Sequence, residues 1–116
     1  MEPLLPRRFE ALVVDTLDSL PPELASLIDN VVVTVEDRGD PPGLLGMYEG
    51  VPLTERGDYG TGGFVMPDRI HIYRLALCEF SEDEKQLRAE VIKTVIHEVA
   101  HHFGIDDHRL TALGWD

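Results

Sequence analysis

An α+β fold is predicted by the order of elements along this 116-residue sequence. Two segments with helical periodicity open the chain, and three strand-like segments occupy its middle. A long, well-signalled helix with a short sequel closes it. Strands grouped between helices, rather than alternating with them one for one, point to α+β organisation. The length is that of one domain, residues 1–116, and a 43% hydrophobic content is enough for a core.

The first helix is expected from about Pro6 to Leu20. Phe9, Leu12, Val13, Leu17 and Leu20 recur there at helical spacing, while Glu10, Asp15 and Asp18 fall elsewhere. Pro21-Pro22 ends it, and "PPELASLIDN" begins a short second helix with proline in its first turn. "VVVTVED" (31–37) is a β-branched run of strand length, and "RGDPPG" (38–43) reads as a turn. "LLGMYEG" (44–50) predicts a second strand interrupted by Gly46. The stretch 50–63, "GVPLTERGDYGTGG", reads as the most flexible loop. Its "GTGG" lacks the Lys-Ser/Thr and the following helix of a phosphate-binding loop. "RIHIYRLAL" (69–77) alternates as a third strand, with Ile70 and Ile72 on one face and His71, Tyr73 and Leu75 on the other.

The long helix carries the clearest signals. Ser81 followed by Glu84 reads as a capping box, and acids crowd the first turn, as the helix dipole favours. Leu87, Val91, Ile92, Val95, Ile96, Val99, Ala100 and Phe103 supply an apolar stripe. Gly104 stands where a left-handed residue would end the helix. "DDHRLTALGW" then makes one or two further helical turns, capped by Asp106 or Asp107.

Composition excludes several classes. No apolar run approaches the roughly 18 residues of a membrane span, and "MEPLLPRRFEAL" lacks the parts of a signal peptide. A single cysteine, Cys78, excludes an internal disulfide and any cysteine-rich zinc site. A cytoplasmic protein is the expectation, with Cys78 a small core hydrophobe and Trp115 a C-terminal packing residue. Ten basic against 22 acidic residues give a net charge of -12, a field that repels nucleic acid and gathers cations.

The segment "HEVAHHFGIDDH" (97–108) holds four of the five histidines, beside one glutamate and two aspartates. At about 100° per residue, His97 and His101 lie about 40° apart on the long helix. They share a polar side with Glu90, Lys93 and Thr94, while Ile92, Ile96, Val99 and Phe103 centre on the opposite one. Two imidazoles one turn apart can meet one ion, and Glu98 projects beside that position to take a proton from water the metal activates. Gly104 lets the chain turn and bring back a third ligand, giving H-E-x-x-H-x-x-G-x-x-D with Asp107 in the third place. The expectation is one zinc ion per chain on His97, His101 and Asp107, with Glu98 catalytic. Two nitrogens and a carboxylate leave a fourth position open, as catalytic zinc requires. The bland alternative is a solvated helix end whose histidines favour the dipole. His102, about 100° round from His101, reads as a packing residue, and His108 as ligand, helper or donor. His71 and Tyr73 read as sheet-surface residues rather than proton donors.

"HEVAHHFGIDDHRLTALGW" resembles the motif of a small family of bacterial zincin-like proteins, regarded as minimal metallopeptidases. The resemblance is tight over this C-terminal third and loose elsewhere. It implies a minimal zincin-like fold over residues 1–116: a short twisted sheet of about three strands packed on the long motif helix, with N-terminal helices. It also implies hydrolysis of a peptide or protein substrate, with an edge strand along the cleft. "RIHIYRL" (69–75) is the expected edge strand, and the loop 50–63 the segment that closes over the substrate. The aspartate in third place is similar to that of some metzincins, but their methionine turn is missing or differently built. None of the nine residues after Asp107 is Met. Two other readings share these residues. One is a non-catalytic zinc module acting through a protein partner. The other is the metal-dependent endoribonuclease of ribosomal RNA maturation, whose H-x-x-x-H-x-x-G-x-D-H pattern meets His97, His101, Gly104 and Asp106 but finds its last histidine displaced to His108.

Overall fold

A computed structural model describes residues 1–50, 67–105 and 107–112, with Asp107 described by its backbone alone. In chain order these form α1 (Pro6–Asp18), α2 (Pro22–Ala25) running into a 3₁₀ turn (Ser26–Ile28), and β1 (Val31–Glu36). There follow β2 (Gly46–Glu49), β3 (Asp68–Tyr73), α3 (Arg74–Phe80), α4 (Glu84–His102) and α5 (Asp107–Ala112). The loop 50–63 lies outside the described residues apart from Gly50, and Asp106 and Trp115 lie outside them too.

The sheet has the order β1-β3-β2, with β1 parallel and β2 antiparallel to β3. β3 is therefore the central strand, contrary to the expectation that "RIHIYRL" forms an edge. The reason is its pairing: β3 bonds to β1 over residues 68–73 on one side and to β2 over residues 69–72 on the other, while Ile70 and Ile72 are buried in the core on one face. Among the described residues the edge toward α4 is β2. Its first residue, Gly46, permits that approach, since a Cβ there would lie 2.6 Å from Thr94 Cγ2.

β3 also ends earlier than the expected 69–77. At Arg74 the chain enters α3, and Arg74, Leu77 and Cys78 are buried at helical spacing. A short apolar run fits either period until packing chooses. Cys78 is a buried, free core residue as expected. Tyr73, expected on the sheet surface, is 3% exposed because Gly39 of the preceding turn lies against its ring.

α4 crosses β2 and β3. Leu87, Val91, Val95 and Val99 pack with Ile70 and Ile72, and with Phe9, Leu12 and Val13 of α1, into one core. The N-terminal cap falls two residues later than expected. Asp83 Oδ1 accepts from the Gln86 N–H at 2.8 Å, and Gln86 Oε1 accepts from the Glu82 N–H at 2.8 Å. Ser81 instead closes α3, its hydroxyl donating to the Leu77 carbonyl at 2.8 Å. Phe103 leaves the apolar stripe and is 62% exposed, because the helix has ended at His102 and the chain is already turning. Gly104 takes the left-handed conformation, with φ of 79°. Its N–H donates to the His101 carbonyl at 3.0 Å, and Ile105 N–H reaches the Ala100 carbonyl at 2.8 Å. These two bonds satisfy carbonyls of the turn that carries the histidines. No described helix is long and apolar enough to cross a membrane.

Candidate active site

The polar face of α4 opens onto a cleft. Glu90, Lys93, Thr94, His97, Glu98 and His101 form one wall, and a cavity of about 440 Å³ separates them from Gly43–Gly46 and Phe80. The five residues that the helical wheel places on one face, Glu90, Lys93, Thr94, His97 and His101, all line the cleft, and Glu98 joins them. His97 and Glu98 are half-buried and His101 is exposed. The two imidazole ring centres lie 5.8 Å apart at 73°. Zinc–nitrogen bonds run about 2.0–2.1 Å, so one ion can meet a nitrogen from each ring. The donor set fits the metal in kind as well: imidazole on a partly sheltered, acidic cleft suits zinc. Among the described residues no group of three His, Cys, Asp or Glu side chains is gathered for an ion. Asp107 is the first residue of α5, one turn past Gly104, and its side chain lies outside the description.

Glu98 stands beside the two histidines. Burial pushes its carboxyl above the ordinary glutamate value, against the opposing pull of His101 and His97. A carboxylate held in that state is a better proton acceptor than a solvated one.

The other histidines are placed elsewhere. His102 stacks on Tyr48 with ring centres 4.0 Å apart and 19° between planes, the packing role expected for it. Tyr48 donates to Asp68 Oδ2 at 2.5 Å, and His102 Nε2 lies 3.9 Å from the same oxygen. This cluster ties β2 and β3 to the last turn of α4. His108 is exposed on α5. His71 sits in the sheet with Nδ1 2.6 Å from Thr34 Oγ1, and carboxylate oxygens of Glu36 and Glu49 lie 3.6 Å from its two nitrogens. Neither His71 nor Tyr73 lines the cleft.

The opposite wall was not found by sequence reasoning. Phe80 belongs to α3, a helix that the strand reading of 69–77 concealed. Leu44 and Leu45 enter through the approach of β2. The Tyr73 N–H donates to the Leu45 carbonyl at 3.0 Å, and in the antiparallel register Met47 pairs with His71 and Glu49 with Arg69. Bonding pairs alternate in such a ladder, so the peptide groups of Gly46 and Tyr48 point away from β3.

The zincin-like metallopeptidase family matches residues 28–115, a span that includes the sheet, the cleft and the motif. The chain belongs to the zincin-like metallopeptidase family. The family's name points to zinc binding and peptide hydrolysis as its chemistry. No curated protein matches the chain by sequence. Among solved structures it is similar to a conserved hypothetical protein from Thermus thermophilus, at 24% identity and a TM-score of 0.51. That match covers 95% of this chain and 98% of the other, and it speaks for a shared fold alone.

Proposed function

We propose that the chain is a zinc-dependent peptidase, with one ion held by His97, His101 and Asp107 and with Glu98 as general base. The observation that carries this reading is the convergence of His97, Glu98 and His101 on one cleft along α4. Asp107 takes the third ligand place in this reading, supported by the turn at Gly104 three residues after His101. Zinc, when bound, supplies Lewis acidity toward a scissile carbonyl and acidifies water. Glu98 accepts the proton released by the attacking water and returns it to the leaving amine. The substrate enters between α4 and the segment Gly43–Gly46, which together line the cleft.

The test is cleavage of an unbiased peptide library by zinc-loaded protein prepared without a polyhistidine tag. Glu98→Gln keeps shape and zinc stoichiometry and loses roughly two or more orders of magnitude in rate. His97→Ala loses most of the zinc. Cleavage by Glu98→Gln at the wild-type rate would remove the peptidase reading. A zinc stoichiometry untouched by His97→Ala would move the metal elsewhere.

A further inference from the structure

α4 presents His101 from its last turn, where helix carbonyls lose their partners further along the helix. The helix ends one residue later, at His102, and the His101 side chain is exposed, whereas His97 one turn earlier is half-buried. What fixes the last turn therefore fixes His101. The core side of that turn is held by Val99 and Ala100, both fully buried. The sheet side is held by His102. Its ring lies flat on Tyr48, with centres 4.0 Å apart, and meets the edge of Phe103 at 5.1 Å and 84°. Tyr48 is anchored in turn, since its hydroxyl donates to Oδ2 of the buried Asp68, an oxygen 3.9 Å from His102 Nε2. Gly50, just past β2, makes room for the ring: a Cβ there would stand 3.1 Å from His102 Cε1. A second close approach lies at the start of the strand, where Gly46 meets Thr94. From Gly46 to Gly50 extended chain spans about 13 Å, and from Thr94 to His102 the helix rises about 12 Å. β2 thus runs alongside α4 and is fastened to it at both ends, with His97, Glu98 and His101 on the helix between the fastenings.

We propose that Tyr48, Asp68 and His102 are positioning residues for His101: they hold the last turn of α4 in the form in which His101 shares an ion with His97. The inference rests on the zinc site proposed above and gives the sheet a part in it. None of the three lines the cleft, so each acts through His101 and not on a substrate. The physical ground is a population. A ligand on a turn that frays binds only in the fraction of molecules where the turn is formed, and apparent affinity falls with that fraction. A stacked aromatic pair contributes enough to change such a fraction several-fold. The bond from Tyr48 to Asp68 keeps the tyrosine ring from tilting, so the stack offers His102 a fixed platform.

The test uses the full chain in two variants: His102→Ala removes the stack, and His102→Phe keeps a ring on Tyr48 without the nitrogens. Zinc affinity, measured by competition with a chelator, should fall about three- to tenfold in His102→Ala and return to within about twofold of wild type in His102→Phe. Asp83→Ala, at the far end of the same helix, separates positioning from general loss of stability and should keep wild-type affinity. In zinc-free protein, hydrogen exchange at residues 101–105 should quicken several-fold in His102→Ala, while amides from Leu87 to Val95 keep their protection. Unchanged affinity in His102→Ala, or an equal loss in Asp83→Ala, overturns the proposal. An equal loss in His102→Phe also overturns it, because the imidazole nitrogens and not the stacked ring would then matter. If the wild type holds no zinc, or His101→Ala holds it as tightly, the zinc site has failed, and exchange in the zinc-free chain decides the clamp by itself. Quickening confined to residues 101–105 upholds the clamp on the turn, and unchanged protection there overturns it.

Discussion

Two faces of α4, built from one stretch of chain, meet opposite demands. On one face Leu87, Val91, Val95 and Val99 are fully buried against the sheet and α1. On the other, Glu90, Lys93, Thr94, His97, Glu98 and His101 look into the cleft. The first face has only to be apolar and close-packed, and its period repeats for three turns. The second must keep titratable groups in place while water is partly excluded, and Glu98 shows the cost: its carboxyl is desolvated. The core face holds the helix rigid, and rigidity lets the cleft face keep two rings 5.8 Å apart without a loop to position them. Stability and chemistry are therefore separable by substitution, even though they share a helix.

The largest effect is expected on the core face. Leu87→Ala empties a fully buried site in the middle of the core and should cost about 2–5 kcal/mol of unfolding free energy. Denaturant titration measures the loss, and zinc bound per folded chain should stay the same. A drop in zinc stoichiometry of the folded fraction would show that the faces are coupled. Glu98→Gln is its mirror image. The hundredfold rate loss expected there corresponds to about 2.7 kcal/mol of barrier, while stability should not fall, since the exchange removes a desolvated carboxyl.

Much of this division was legible in the sequence. The stripe from Leu87 to Ala100 and the polar set from Glu90 to His101 both follow from the 3.6-residue period, which one long helix obeys without help from its neighbours. Gly104 was legible for the same local reason, since few residues other than glycine favour that backbone conformation. What escaped was non-local. Nothing in "RIHIYRLAL" says that helix α3 begins at Arg74, because Leu75–Cys78 suit both periods and only burial against the core selects one. With α3 hidden, Phe80 could not be placed in the cleft. The order β1-β3-β2 escaped likewise, since strand order is a property of pairing partners and not of any single strand. Half of the cleft was therefore readable and the other half was assembled by tertiary contacts.

A smaller effect is expected at the end where the two faces meet the motif turn. Gly104→Ala forces a side chain into φ of 79° and should cost about 1–2 kcal/mol. The loss should be local. Hydrogen exchange at residues 101–105 should quicken, while amides from Leu87 to Val95 keep their protection. Uniform loss of protection along α4 would mean that the helix melts as one unit and that its faces cannot be separated at this end.

The smallest effect is at the other end, and it tells the two possible caps apart. The sequence pairs Ser81 with Glu84, whereas the structure caps the helix with Asp83 and Gln86. Asp83→Ala removes the acceptor for the Gln86 N–H and should cost about 1 kcal/mol. Glu84→Gln should change stability by less than about half of that, since its Oε1 meets the exposed guanidinium of Arg8, at 2.9 Å, a surface pair. Ser81→Ala is not a clean control, because its buried hydroxyl bonds the end of α3. The comparison therefore rests on Asp83 against Glu84, read as midpoints of urea unfolding with unchanged slopes. A cap about four turns from His97 alters neither the ring geometry nor the cleft, so zinc affinity should be the same in both variants. If Asp83→Ala weakens zinc binding as well as the fold, the helix transmits strain from its first turn to its last. The two faces of α4 would then have to be treated as one.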